Sequence, residues 1–150
     1  MPQSLSNVII HTVFSTKHRE PFLSNSEIQQ ETFAYLGGCA KSLDCFPLIV
    51  GGHVDHVHLL TSLSRTLTQA DFVKEVKRNS SLWFKDRWGI EEFAWQKGYG
   101  IFSVSQSRVS DVKRYIEGQE KHHQTVSFKV EFRKLLDRHG IEFDERYVWE

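Results

Sequence analysis

Apolar and polar positions follow one another along this chain in blocks of two periods, two residues and close to four, and the blocks alternate. In "LSNVIIHTVFST", Val8, Ile10 and Phe14 alternate with more polar positions while Ile9 and Val13 thicken the other side, which predicts a first strand over residues 5–15, covered on both faces. "SNSEIQQETFAYLGGCAKSL" opens with Ser24 and Glu27 in capping-box spacing and then sets Ile28, Phe33 and Leu36 at near-helical intervals. A helix over about residues 25–42 is expected there. "CFPLIVGGHVDHVHLLTSL" supplies two short strands, 45–51 and 55–62, turning through "GGHVD". A second long helix follows in "TLTQADFVKEVKRNSSLWFKDRWG", with Leu67, Ala70, Val73, Val76 or Lys77, and Leu82 as its stripe and Gly89 at its end.

The rest of the chain continues in the same way. "GYGIFSVSQS" reads as a fourth strand, "RVSDVKRYIEGQEKHH" as a third helix capped by Ser107 or Ser110, and "SFKVEFRKLLDRHG" as a short amphipathic helix closed by Gly140, with "IEFDERYVWE" as a tail. The order β-α-β-β-α-β is that of a ferredoxin-like α+β fold, here with helices added at the C-terminal end. In that topology the first and third strands are central. No repeat, linker or low-complexity segment divides the 150 residues, so a single domain over residues 1–150 is expected.

Composition narrows the classes. Nineteen basic residues balance nineteen acidic ones, so any contact with nucleic acid must be local. Two basic stretches qualify: Lys17 and Arg19 in a loop, and Lys74, Lys77 and Arg78 on the second long helix. A solvated helix face or turn would use the same residues. Eleven Phe and four Trp are a heavy aromatic load, and Trp95 and Tyr99 are candidates to stack on bases, against core packing for at least one of them. Cys39 and Cys45 lack metal-site spacing and are too few for a disulfide scaffold, which fits a reducing cytoplasm. No apolar run has the ~20 residues of a membrane span, and no targeting segment is expected.

The costly stretch is "GGHVDHVHLLTSL", with three histidines in six residues. Strand parity sends His56 and His58 to one face and Val57 and Leu59 to the other, so two imidazoles converge on one spot. They suit two ligands of a metal ion. The alternative is two histidines on a solvated sheet face. His53 has the opposite parity to His56 and reads as structural or exposed; Asp55 reads as a turn residue in preference to a carboxylate supporting a ligand. On the third helix, Tyr115 and Gln119 are four residues apart and share a face, with His122 a further turn along. Val109, Val112 and Ile116 form a separate apolar stripe. Gly118 costs this helix about 1 kcal/mol against Ala and suggests a close approach. His122 is a candidate phosphate contact, and His123 reads as a surface residue.

Taken in order, "IIHTVFSTKHR", "DHVHLL", "WQKGYGIFSVS", "YIEGQEKHH" and "HGIEFDERYVW" resemble the HUH-superfamily transposases of small insertion sequences that use a single catalytic tyrosine. A sister group acts on repeated palindromic DNA. The resemblance implies an enzyme that cuts single-stranded DNA at hairpin-bearing element ends and rejoins it through a 5′-phosphotyrosine. By position it makes Tyr115 the nucleophile and His56, His58 and Gln119 the ligands of Mg²⁺ or Mn²⁺, whereas imidazoles alone would favour Zn²⁺, Ni²⁺ or Mn²⁺. It also implies a homodimer in which the tyrosine helix of one subunit can complete the histidine site of the other. Three rivals stand beside it: a single-strand binding module without catalysis, a domesticated relative that processes palindromic repeats, and a metal-dependent hydrolase that uses water.

Overall fold

The structure is a computed structural model that describes residues 2–150. Four antiparallel strands, β1 (Ile9–Ser15), β2 (Pro47–Gly52), β3 (His56–Ser62) and β4 (Gly100–Val104), lie in the order β2-β3-β1-β4. With α1 (Ser26–Ser42) between β1 and β2 and α2 (Gln69–Trp88) between β3 and β4, this is the expected α+β, ferredoxin-like arrangement. Three further helices follow: α3 (Val109–Glu117), α4 (Gln119–His122) and α5 (Phe128–Arg138).

Strand parity divides the molecule into two layers. Ile10 and Phe14 of β1 and Val57 and Leu59 of β3 join Leu36 of α1 and Phe72, Val76 and Phe84 of α2 in the larger apolar core. Each large side chain buried there contributes about 1.5–3 kcal/mol. The opposite parity carries Ile9 and Val13 of β1 and Leu60 of β3, covered by Ile116 of α3 and by Phe128, Phe132 and Leu135 of α5. His11, His56 and His58 share this second face, where His56 packs its ring 4.6 Å from that of Phe128.

Several boundaries differ from the sequence reading for local reasons. β1 begins at Ile9 because its partners run out there: Ile9 pairs with Ser62 on one side and Val104 on the other, each the last residue of its strand. Leu5 is 85% exposed accordingly. β4 is short for the same reason, and residues Gln106–Arg108 turn into a 3₁₀ segment that feeds α3 with no side-chain cap from Ser107 or Ser110. Asn25, one residue after the expected Ser24, caps α1 by accepting from the Ile28 N–H. On α2, Leu82 faces solvent, and Ser80 and Phe84 continue the buried stripe. Gly89 ends that helix in the left-handed region as expected.

The paired glycines each have a reason. A Cβ on Gly51 would lie 2.8 Å from Ile116 Cγ2 and 3.0 Å from the Ile116 carbonyl oxygen, so only glycine lets α3 rest on β2. Gly52 has φ +154° and a Cβ there would strike the His56 carbonyl oxygen, so it closes the hairpin tightly. Gly118 is different. An added Cβ would meet only ordinary contacts, the nearest at 3.5 Å, and the residue marks the junction between α3 and α4 rather than an approach to anything.

The tail is packed. Phe143, Val148 and Trp149 lie against α5, and the Glu150 carbonyl oxygen accepts from the Gly98 N–H at 2.8 Å. Cys39 and Cys45 are buried free thiols. Among the described residues no helix is long and apolar enough to cross a membrane.

Candidate active site

The two strand histidines do not face water. His56 and His58 are both 0% exposed, because α3, α4 and α5 roof the sheet over them. From α4, Gln119, 1% exposed, directs its Oε1 at His56 Nε2 (3.0 Å) and its Nε2 at Glu131 Oε2 (2.9 Å). From α3, the Tyr115 hydroxyl donates to Glu131 Oε2. Glu131 of α5 is thus the shared acceptor at the centre, itself 2% exposed, with His58 Nε2 at 3.1 Å and His56 Nε2 at 3.4 Å from its Oε1. His122 Nε2 and His123 Nε2 stand 3.3 and 3.2 Å from its Oε2.

A carboxylate only accepts, and that fixes the protons around it. His58 Nε2 donates to Glu131, so His58 Nδ1 accepts from His11 Nε2, 2.8 Å away on the neighbouring strand. Burial drives His58 down to about 4, against the pull of Glu131, and lowers His11 as well, so both rings are neutral. His56 goes the other way. Its burial opposes charge, but hydrogen bonds to Asp55 and Glu131 outweigh it and raise the imidazole to about 9. Glu131 is likewise held below the ordinary carboxylate range by His123, His56 and His58 despite its burial. The Tyr115 phenol is raised, by burial first and by the Glu131 charge second, so it is protonated at neutral pH.

His56, His58 and Glu131 can bring one donor atom each within 4.8 Å of the others, which is metal-site spacing. Two imidazole nitrogens, a carboxylate oxygen and an amide oxygen are donors suited to a divalent ion. Each strand histidine is also oriented from behind: Asp55 Oδ1 accepts from His56 Nδ1 at 2.8 Å, and His11 serves His58. Beside the cluster a cavity of about 640 Å³ opens to solvent, lined by His11, Phe102, Arg108, Tyr115, Arg138 and His139.

Residues 4–119 match the family model described as IS200-like transposase. The chain belongs to that family. Among solved structures it is similar to a candidate transposase from Deinococcus radiodurans R1, with 21% identity and a TM-score of 0.63 over 80% of this chain and 96% of that one. It is also similar to a REP-associated tyrosine transposase bound to a REP hairpin, with 13% identity and a TM-score of 0.50 over 79% of this chain and 70% of that one. At these identities the likeness shows the fold. None of the curated proteins compared with the chain matches it.

Within this IS200-like transposase, Tyr115, Gln119, His56 and His58 come together in one chain, and α3 reaches β3 without help from a second copy. The reading of the histidines as solvated is overturned by their burial. Asp55 is more than a turn residue, since its carboxylate holds His56. His123 is not on the surface: its side chain is 2% exposed and its Nε2 lies 2.8 Å from Gln119 Oε1. His53 is half-buried and stacks on His123.

The basic and aromatic candidates lie apart from this cluster. Lys74, Lys77, Arg78, Trp95 and Tyr99 line one shallow groove of about 470 Å³ beside α2, on the other side of the sheet. Two of them are committed inside the protein. Trp95 is buried, packs edge-on to Phe14 and Phe93 and donates to Ser80 Oγ at 3.0 Å, so its ring is not free for a base. Lys77 Nζ donates to the carbonyl oxygens of Gln96, Lys97 and Gly98 at 2.8, 3.2 and 2.6 Å, which pins the loop before β4. Lys74 is exposed, Arg78 is exposed and 3.5 Å from Glu75, and Tyr99 is half-buried with Lys77 over its ring. Lys17 is exposed, while Arg19 donates to the Trp149 carbonyl oxygen at 3.1 Å.

Glu131 and His11 are site residues that the sequence reading passed over and His123 one that it put on the surface, and each left a trace. Glu131 falls within the stripe of Phe128, Phe132 and Leu135, where a charge has no place on an ordinary amphipathic helix. His11 has the parity of Ile9 and Val13. His123 completes the series 115, 119, 123 at intervals of four.

Proposed function

We propose that this transposase cuts and rejoins single-stranded DNA at hairpin-bearing ends, with Tyr115 as nucleophile and a 5′-phosphotyrosine as the intermediate. The observation that carries the reading is the meeting of Tyr115 and Gln119 with His56 and His58 in one water-poor cluster at the wall of an open cavity. A core has no use for a half-buried tyrosine and a buried glutamine, glutamate and four imidazoles in mutual contact, since each polar group taken from water needs a partner.

In the reaction the Tyr115 oxygen bonds to phosphorus as the bond from phosphorus to the 3′-oxygen breaks. The phenol loses a proton and the departing 3′-oxygen gains one. One phosphodiester replaces another, so rejoining by attack of a 3′-OH needs no ATP. Tyr115 is a weak nucleophile while protonated, and its activation is the main task of the site. A divalent ion, Mg²⁺ or Mn²⁺ by family resemblance, held by His56, His58 and Gln119, supplies charge neutralisation and polarisation at the scissile phosphate. The strand enters along the cavity beside Tyr115, where Arg108 and Arg138 offer cations. His122, with its side chain 35% exposed, stands at the cluster's margin as a phosphate contact. Lys17, Lys74, Arg78 and Tyr99 are proposed as contacts to the flanking DNA. A homodimer remains part of the proposal on resemblance alone, and sedimentation at concentrations that support cleavage tests it.

Incubation with hairpin DNA and Mn²⁺, followed by denaturing electrophoresis, tests the chemistry. A covalent protein–DNA adduct is expected. Free cleaved ends without adduct would mean hydrolysis by water, and a native shift without cleavage would mean a binding module. Gln119→Ala is expected to reduce the adduct while leaving the nucleophile in place.

A further inference from the structure

The family match ends at residue 119, and the acceptor at the centre of the cluster comes from beyond it. Glu131 stands on α5, in the buried stripe of that helix, and its two oxygens face different partners. Oε1 faces His58 Nε2 and His56 Nε2; Oε2 faces the Tyr115 hydroxyl and Gln119 Nε2. We propose that Glu131 is a ligand of the divalent ion through Oε1 and holds the Tyr115 hydroxyl beside that ion through Oε2. The inference rests on the metal-dependent reading above.

Spacing supports the first half. Metal–ligand bonds of about 2.1 Å at angles of about 90–110° separate neighbouring donor atoms by about 3.0–3.4 Å. Three edges of this cluster have those lengths: 3.1 Å from His58 Nε2 to Glu131 Oε1, 3.4 Å from His56 Nε2 to the same oxygen, and 3.0 Å from His56 Nε2 to Gln119 Oε1. Chemistry supports it too. A site made of two imidazoles and an amide offers an ion no anionic donor, and Glu131 supplies one. The two imidazoles set a preference for Mn²⁺ over Mg²⁺, because imidazole nitrogen suits first-row transition ions, and the carboxylate adds an anionic oxygen that serves either ion.

The second half follows from the geometry of one planar group. When one carboxylate oxygen is bound to the ion, the other is fixed within about one bond angle of it, and the phenol that donates to that oxygen is fixed in turn. Gln119 braces the arrangement by donating to the same Oε2. Glu131 would then act as both ligand and positioning residue, and α5 would be part of the active site rather than a cover for it.

The test is Mn²⁺ binding by the full chain, read by titration calorimetry and by the paramagnetic resonance of the bound ion, with no DNA present. The parent is expected to bind one Mn²⁺, at least tenfold more tightly than Mg²⁺. Glu131→Gln keeps the shape and removes the anionic donor; it is expected to weaken Mn²⁺ binding at least tenfold. If that variant binds Mn²⁺ as tightly as the parent, or more tightly, while His58→Ala has lost binding, Glu131 only occupies the space of the ion and the inference fails alone. A parent that binds no Mn²⁺ overturns this inference together with the metal-dependent reading. Thermal unfolding by circular dichroism verifies that each variant is folded. Should Glu131→Gln not fold, Glu131→Asp carries the test: the retracted oxygen is expected to weaken binding measurably, and unchanged affinity overturns the proposal.

Discussion

The two faces of β3 are built from the same seven residues and serve opposite ends. Val57 and Leu59 enter a core of aliphatic and aromatic side chains under α1 and α2, where packing alone decides which residues fit. His56 and His58, one position out of phase with them, enter a layer under α3, α4 and α5 in which a cluster of buried, paired polar groups is set among apolar side chains such as Ile116, Phe128 and Phe132. The first layer supplies stability and sets the strand rigidly. The second consumes part of that stability to hold four imidazoles, an amide, a phenol and a carboxylate in one geometry. A sheet with one apolar face can carry a reactive cluster on the other because strand parity keeps the two apart at no cost in chain length.

The sharpest way to break this division is to damage each face and measure both properties. Phe84→Ala, in the apolar layer, is expected to lower stability by about 3–5 kcal/mol, while adduct formation per folded molecule stays near the parent's. His58→Ala is expected to do the reverse, at about 1–3 kcal/mol for the partners left unpaired, with adduct formation lost. Chemical denaturation and the electrophoretic assay measure the two effects. Loss of chemistry in folded Phe84→Ala would mean that the layers are not separable.

Gly51→Ala probes the seam between them. Its Cβ would press on Ile116 with backbone on the far side, so the tyrosine helix must shift; a loss of about 1–3 kcal/mol is expected, with a clear fall in adduct yield. Unchanged yield would show that α3 tolerates displacement. The smallest effect is expected at Gly118, where an added Cβ finds room and φ is −89°. Gly118→Ala should raise the thermal midpoint slightly, by a stabilisation of about 0.4–1 kcal/mol, and leave cleavage as it was. A drop in cleavage there would give Gly118 the role in approach that its surroundings deny it.

The apolar layer was legible in the sequence, and the polar one only half so. Periods of two and near four located β1, α1, β2, β3, α2 and β4 to within a few residues, and their order gave the sheet. The parity of His56 and His58 was read correctly, but not their burial, because burial depends on three helices arriving from residues 109–138. Glu131 was missed for a related reason. A glutamate in a charged helix reads as solvent-facing until the stripe is counted closely, and only the packing of α5 against β1 and β4 puts its carboxylate against the histidines. The end of β1 at Ile9 was equally invisible, being set by where β3 and β4 end rather than by its own residues.

The central claim is that the hydroxyl of Tyr115 is the group that attacks DNA. Tyr115→Phe retains the ring and its contacts with His11 and His58 and removes one oxygen. The measurement is covalent adduct on denaturing electrophoresis after incubation with hairpin DNA and Mn²⁺, alongside hairpin binding under native conditions. The account predicts that Tyr115→Phe binds the hairpin as the parent does and forms no adduct. An adduct that persists in Tyr115→Phe, mapped by peptide analysis to another residue such as Tyr99, would contradict it.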